Sequence, residues 1–219
     1  MEKFFYFWQI FLDFIFPQTE EVAKLEKMTP EEFVTIVPSA EKPEVDFATA
    51  FFDYQYPLVR LAVRQIKFKN NRTIAKLISE SFYGHLLEEL AELSQFENFH
   101  SPILIPLPIS GKRKRQRGYN QSEIIGENLS RLDNGRNFVY EPKILLKVRD
   151  TPSQTSVKNR QNRLKNLSGC FAVAGKVNIR GKNVILLDDV TTTGATLKEA
   201  RKVLLKNSAK KIFAFTVAH

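Results

Sequence analysis

The chain has one cysteine, Cys170, among 219 residues, which excludes an internal disulfide and any multi-cysteine zinc site. With no motif around it, Cys170 reads as a small packed side chain, and the lack of thiols fits a reducing, cytoplasmic setting. The aromatic run Phe4–Phe16, broken only by Gln9 and Asp13, falls short of the roughly 20 apolar residues that a membrane span requires. It also lacks a basic leader beyond Lys3 and a small-residue cleavage site, so a signal peptide fits poorly. The run reads as an aromatic helix stopped by Pro17, docked on the core or on a partner. A peripheral membrane contact is the lesser reading, because the segment has almost no Lys or Arg. No Gly-Lys-Thr/Ser opens a helix and no dinucleotide glycine triplet occurs, so Walker and dinucleotide sites are excluded. His85, His100 and His219 have no partner at catalytic spacing, and surface or capping roles are expected of them. No internal repeat is visible.

What the chain does have is an ordinary globular balance, 43% hydrophobic and 26% charged, with length enough for a sizeable core. Its net charge of +9 favours anionic partners, although lysines spread over solvated faces give the same total. Residues 18–46 form an acidic linker interrupted by Pro30, Pro38 and Pro43, with one short helix announced by Thr29-Pro30-Glu31-Glu32, a capping-box pattern. AFFDYQY (50–56) has strand-forming aromatics and ends at Pro57. Residues 58–66 and 74–93 place apolar residues three and four apart, which predicts two helices.

Beyond Pro102 the pattern changes. ILIPLP (103–108), ILLKV (144–148), VILLD (184–188) and KIFAFTVA (211–218) read as buried strands. GKRKRQRGYN reads as a basic loop, and residues 121–132 as a helix. Apolar strands alternating with helices predict an α/β fold with a mainly parallel sheet, whose ligands bind beyond the carboxyl ends of the strands. Three regions follow: an N-terminal aromatic helix and acidic linker (1–46), a helical hood (47–101) and a core (102–219).

VILLDDVTTTGAT (184–196) carries the chemistry. Asp188 and Asp189 stand at the end of a buried strand, where paired carboxylates suit vicinal sugar hydroxyls or a divalent ion. Thr191, Thr192, Thr193, Gly194, Ala195 and Thr196 follow. Their hydroxyls and the amides of a helix start form a phosphate cradle, with Gly194 allowing close backbone approach. An acidic turn with a threonine cap is the bland alternative, and the full thirteen-residue pattern favours the site.

This segment resembles the phosphoribosyl pyrophosphate (PRPP) motif of type I phosphoribosyltransferases. IPLPISGKRKRQRGYNQSEIIGENLS (105–130) resembles the strand, basic loop, RGFNQ and helix of the ComF family, with Tyr119 in place of Phe. Residues 150–171 are similar to that family's mobile loop, YQYPLVRLAVRQIKFKNNRTIAKLI to its aromatic pair, helix and Lys-Phe-Lys, and LDFIFP to the element before a four-cysteine zinc module. That module is absent here, and zinc binding with it.

The resemblance implies a type I phosphoribosyltransferase-like sheet in which Asp188 and Asp189 take the ribose and 192–196 the 5′-phosphate. Mg²⁺ is expected through PRPP itself rather than through direct protein ligands. Pyrophosphate would meet the 117–121 region, where Arg117 pairs with phosphate and Asn120 and Gln121 cap the helix or donate to ligand. KRKRQR is either a solvated loop or a phosphate or nucleic-acid contact. Arg149, Gln154, Arg160 and Arg163 belong to a lid over the anomeric carbon or to a solvated loop. Two functions stay open. One is a glycosyltransferase moving phosphoribosyl to an unidentified acceptor. The other is a non-catalytic PRPP or single-stranded DNA module in DNA uptake, with an uptake helicase as expected partner. A homodimer is also implied.

Overall fold

The structure, a computed structural model, describes residues 20–150, 167–175 and 179–219. The aromatic N-terminal run and Gln154, Arg160 and Arg163 lie outside the described residues. Helices α1 (Glu20–Lys27) and α2 (Pro30–Ile36) come first. The capping box of α2 forms as the sequence predicts: Glu32 N–H donates to Thr29 Oγ1 at 3.2 Å, and Thr29 N–H to the Glu32 carboxylate at 2.9 Å. Strand β1 (Ala48–Phe52) leads to α3 (Pro57–Lys69), with Pro57 at its first turn, and to α4 (Arg72–Glu97), capped by Asn71.

The core then runs β2 (Ile103–Pro106), α5 (Gly111–Arg117), α6 (Gln121–Asp133), β3 (Val139–Tyr140), β4 (Leu145–Lys147), β5 (Phe171–Val173), β6 (Val184–Val190), α7 (Ala195–Lys206) and β7 (Ile212–Ala218). The main sheet has the order β1-β7-β6-β2-β3 and every pair in it is parallel. Strand alternation splits the core between its faces. Ile185, Leu187, Phe215 and Val217 face α3, α4 and α6, whereas Val184, Leu186, Ile212 and Ala214 face α7 and the β4–β5 hairpin.

Four details differ from the sequence reading, the first being that the acidic linker carries two helices, α1 and α2, rather than one. The basic loop is a helix, because Ser110 accepts from Arg113 N–H at its start and Gly118 takes the left-handed conformation (φ 81°) at its end. The ILLKV strand lies outside the main sheet, paired antiparallel with β5. The strand that does flank β2 is β3, two residues long. It is anchored by Tyr140, whose hydroxyl donates to Glu123 O at 3.1 Å. A Cβ on Gly126 would stand 2.6 Å from Tyr140 Cε2. Gly126→Ala is therefore expected to cost about 1–3 kcal/mol through overpacking, read as a lower urea midpoint; an unchanged midpoint refutes the packing role.

Candidate functional site

Helix α6 follows β2 onto one face of the sheet and α7 follows β6 onto the other, as their core partners show. The adjacent carboxyl ends of β2 and β6 thus form a switch point, where an open parallel sheet leaves a crevice. Asp188 and Asp189 lie there. They stand inside β6 rather than beyond it, because pairing with β7 continues through Asp188↔Thr216 to Val190↔Ala218.

Asp188 is half-buried and Asp189 buried, at 6% exposure. Ser122 Oγ donates to Asp188 Oδ1 at 3.1 Å, and the backbone N–H of Asp189 donates to the same oxygen at 3.0 Å. Lys67 reaches from the end of α3 to 3.7 Å from Asp189 Oδ2. Burial, and next the charge of Asp189, push the Asp188 carboxyl up to about 8. Asp189 Oδ2 has no hydrogen-bond partner. In this clustered pair Asp189 lies near both Lys67 and Arg117, and its Oδ2 keeps acceptor capacity open.

The phosphate-loop residues adjoin this pair. Thr191 is buried and its N–H donates to Ala218 O at 3.0 Å. Thr192 is exposed, while Thr193 and Thr196 are half-buried. Gly194 (φ 64°) precedes α7 as its N-cap and makes no side-chain cap bond to the first turn. Ala195 is buried with Val45 and Leu197 in the core beneath the loop.

On the β2 side, Arg117 lies 5.3 Å over the Phe68 ring, and burial lowers its pKa. Tyr119 fastens this corner to α3, its hydroxyl donating to Lys67 O and accepting from Asn70 N–H, each at 3.0 Å. Asn120 is spent on structure: its amide donates to Leu107 O at 2.9 Å and its oxygen accepts from Ser122 N–H. Gln121 is buried with its side-chain oxygen unpartnered. Arg149 donates to Ser168 O.

Sequence reasoning missed four groups at this edge. Lys67 lies in the Lys-Phe-Lys stretch without an assigned role. Ser122 follows the RGYNQ motif. Lys147 lies on β4, its pKa lowered chiefly by burial. His219 follows β7, and its Nδ1 is 3.2 Å from Thr191 O. Only the Lys-Phe-Lys resemblance signalled any of them. A cavity of about 240 Å³ among Asn98, His100, Lys182, Asn183 and Lys210 lies at the opposite, amino edge of the sheet.

No group of three or more His, Cys, Asp or Glu suited to a metal occurs among the described residues. Two carboxylates, with Asp189 held by Lys67, match an Mg²⁺ ion that takes most of its ligands from water and phosphate. No helix among the described residues is long and apolar enough to cross a membrane.

Comparison with known proteins finds several relatives. The DNA utilization protein YhgH of Escherichia coli O6:H1 is 30% identical over 161 residues, 73% of this chain and 66% of that protein. Competence protein ComFC of Bacillus subtilis is 35% identical over 116 residues, 52% of this chain and 43% of that protein. Competence protein F of Haemophilus influenzae is 28% identical over 183 residues, 81% of this chain and 75% of that protein. The chain is a homologue of these ComF-type competence and DNA utilization proteins. The match spans about two thirds, 66%, of the YhgH proteins' own length. No family model matches the chain. Among solved structures, a hypoxanthine phosphoribosyltransferase from Staphylococcus aureus aligns at 14% identity and a TM-score of 0.33, covering 63% of this chain and 62% of that one. The parallel α/β sheet of this chain rests on its own strand order, not on that likeness.

Proposed function

We propose that the chain binds PRPP at the carboxyl ends of β2 and β6 and transfers its phosphoribosyl group to an acceptor. One observation carries this reading: an acid pair at the switch point has a phosphate-type turn on one side and a cationic wall on the other. Asp188 and Asp189 accept from the ribose hydroxyls, Ser122 holding Asp188 in place. The amides and hydroxyls of 192–196 hold the 5′-phosphate. Arg117, with Lys67 and Arg113 nearby, faces the pyrophosphate as charge grows on it. Mg²⁺, bound through the ligand's own oxygens, would neutralise part of that charge. Arg149 and the stretch after it exclude water from the anomeric carbon, where water competes with the acceptor.

The test is calorimetric titration with PRPP and Mg²⁺, paired with pyrophosphate release across a nucleobase panel. Saturable binding with base-dependent release supports a transferase. Binding without turnover supports a PRPP-binding module, and no binding ends both readings.

A second reading draws on α5, where Lys112, Arg113, Lys114, Arg115 and Arg117 stand on a helix with no buried residue. A single strand crossing this helix would present phosphates to it, in keeping with relatives named for competence and DNA utilization. On that reading the chain serves DNA uptake, with a helicase as partner. Oligonucleotide affinity should then fall steeply with salt; no binding at low salt removes this role.

A further inference from the structure

We propose that His219 is the acceptor-side group of the site, taking the proton of a nitrogen heterocycle as it attacks the anomeric carbon. The inference rests on the phosphoribosyl reading and extends it to the class of acceptor.

Displacement at the anomeric carbon requires the incoming atom to approach opposite the departing pyrophosphate. The cations Arg117, Arg113 and Lys67 gather on the β2 side of the acid pair. The incoming group is thereby left the β7 side of β6, and His219 stands there, immediately beyond the carboxyl end of β7.

The residue is held from three directions. Its N–H donates to Phe52 O at 3.2 Å, and its carbonyl accepts from Tyr54 N–H at 2.9 Å. Its ring Nδ1 meets Thr191 O at 3.2 Å. A carbonyl oxygen only accepts, so Nδ1 carries the hydrogen and, in the neutral ring, Nε2 carries the lone pair. Nε2 has no partner among the described residues. Thr191 opens the phosphate turn, so the same bond fixes the imidazole relative to the ligand's phosphate end. The turn beside it brings in Tyr54 and Tyr56, both half-buried, which favours a planar, apolar-faced acceptor with one N–H.

The step balances. The acceptor nitrogen forms a bond to the anomeric carbon, whose bond to pyrophosphate oxygen breaks with its electron pair leaving on pyrophosphate. The N–H proton passes to Nε2.

The experiment compares ribose 5-phosphate with the four common nucleoside 5′-monophosphates, which add a heterocycle to the same sugar phosphate, on the full chain. His219→Asn keeps a donor at the Nδ1 position and removes Nε2; His219→Ala removes both. Both variants should bind ribose 5-phosphate within about twofold of the unaltered chain and lose about tenfold in affinity for the best nucleotide, whose deprotonated heterocycle accepts from Nε2 once Nε2 holds the transferred proton, the scale of one unmatched hydrogen bond. The proposal is overturned if no nucleotide binds more tightly than ribose 5-phosphate. It is equally overturned if Asn behaves as His, or if ribose 5-phosphate weakens as much as the nucleotide, which marks a structural role. If the unaltered chain does not bind ribose 5-phosphate at all, the phosphoribosyl reading itself fails and this proposal with it.

Discussion

Asp188→Asn is expected to abolish PRPP binding and, at pH 8, to make the protein more stable. In the folded chain burial, and then the neighbouring Asp189, raise the Asp188 carboxyl from an ordinary 3.8 to about 8. Between about pH 4 and pH 8 the folded state therefore holds a proton that the unfolded state has released. Stability falls as pH rises through that window, and the loss is complete above it. Asparagine carries no charge to desolvate, so the variant should match the parent near pH 4 and exceed it increasingly toward pH 8. Asp188 keeps partial access to water, which holds the gain to about 1–3 kcal/mol, or roughly 5 °C in Tm. Binding should move the other way. Hydrogen bonds from the ribose hydroxyls would favour the ionised carboxylate, which asparagine cannot form, for a loss of about 100-fold or more. Asp189→Asn differs, because it leaves Lys67 without its carboxylate at 3.7 Å; that variant should lose binding with no gain in stability. Thermal melts from pH 4 to 9 and PRPP titrations read both quantities. Parallel melting curves for parent and Asp188→Asn refute the raised carboxyl, and unchanged PRPP affinity refutes the site.

The strand, the adjacent acid pair and the turn into α7 were legible because their signals are local: four apolar residues, two acids and a glycine-bearing helix start all lie within 184–196. The parallel sheet was legible for the same reason, its long strands being apolar throughout. Residues that reach the site from elsewhere were not. Lys67 and His219 arrive from α3 and from the end of β7, and only the strand order brings them beside β6. The basic segment was misread as a loop although both of its helix ends are visible in the sequence. Ser110 and Gly118 are cap residues, and the run of like charges between them hid the pattern. Strand β3 escaped because two residues with one exposed side chain carry no periodicity. The ILLKV strand was recognised but misassigned to the sheet, since a buried apolar run does not say which partner strand covers it.

The acidic linker supports the phosphate turn directly, and Gly194→Ala should expose that dependence. Gly194 has φ 64°, a conformation that costs a residue with a Cβ about 1–2 kcal/mol. Space is the larger obstacle. A Cβ at Gly194 would overlap Val45 Cγ2 and stand 3.2 Å from Val45 Cβ. Val45 is itself 1% exposed, packed with Ala195, Leu197 and Ala48, so it has nowhere to move. Gly194→Ala is therefore expected to destabilise by about 3–5 kcal/mol and to displace the amides that would meet a 5′-phosphate. Val45→Ala alone opens a small cavity and costs about 1–3 kcal/mol. In the double variant the overlap with Cγ2 is gone, and the backbone penalty, the cavity and a tight 3.2 Å approach to the retained Cβ at position 45 remain. The pair should accordingly cost at least about 1 kcal/mol less than the sum of the single changes, measured by urea unfolding. If the two costs simply add, the contact is not what constrains the turn. If the coupling appears and the double variant also recovers PRPP binding that Gly194→Ala loses, the stretch before β1 acts as a buttress that shapes the phosphate site from beneath.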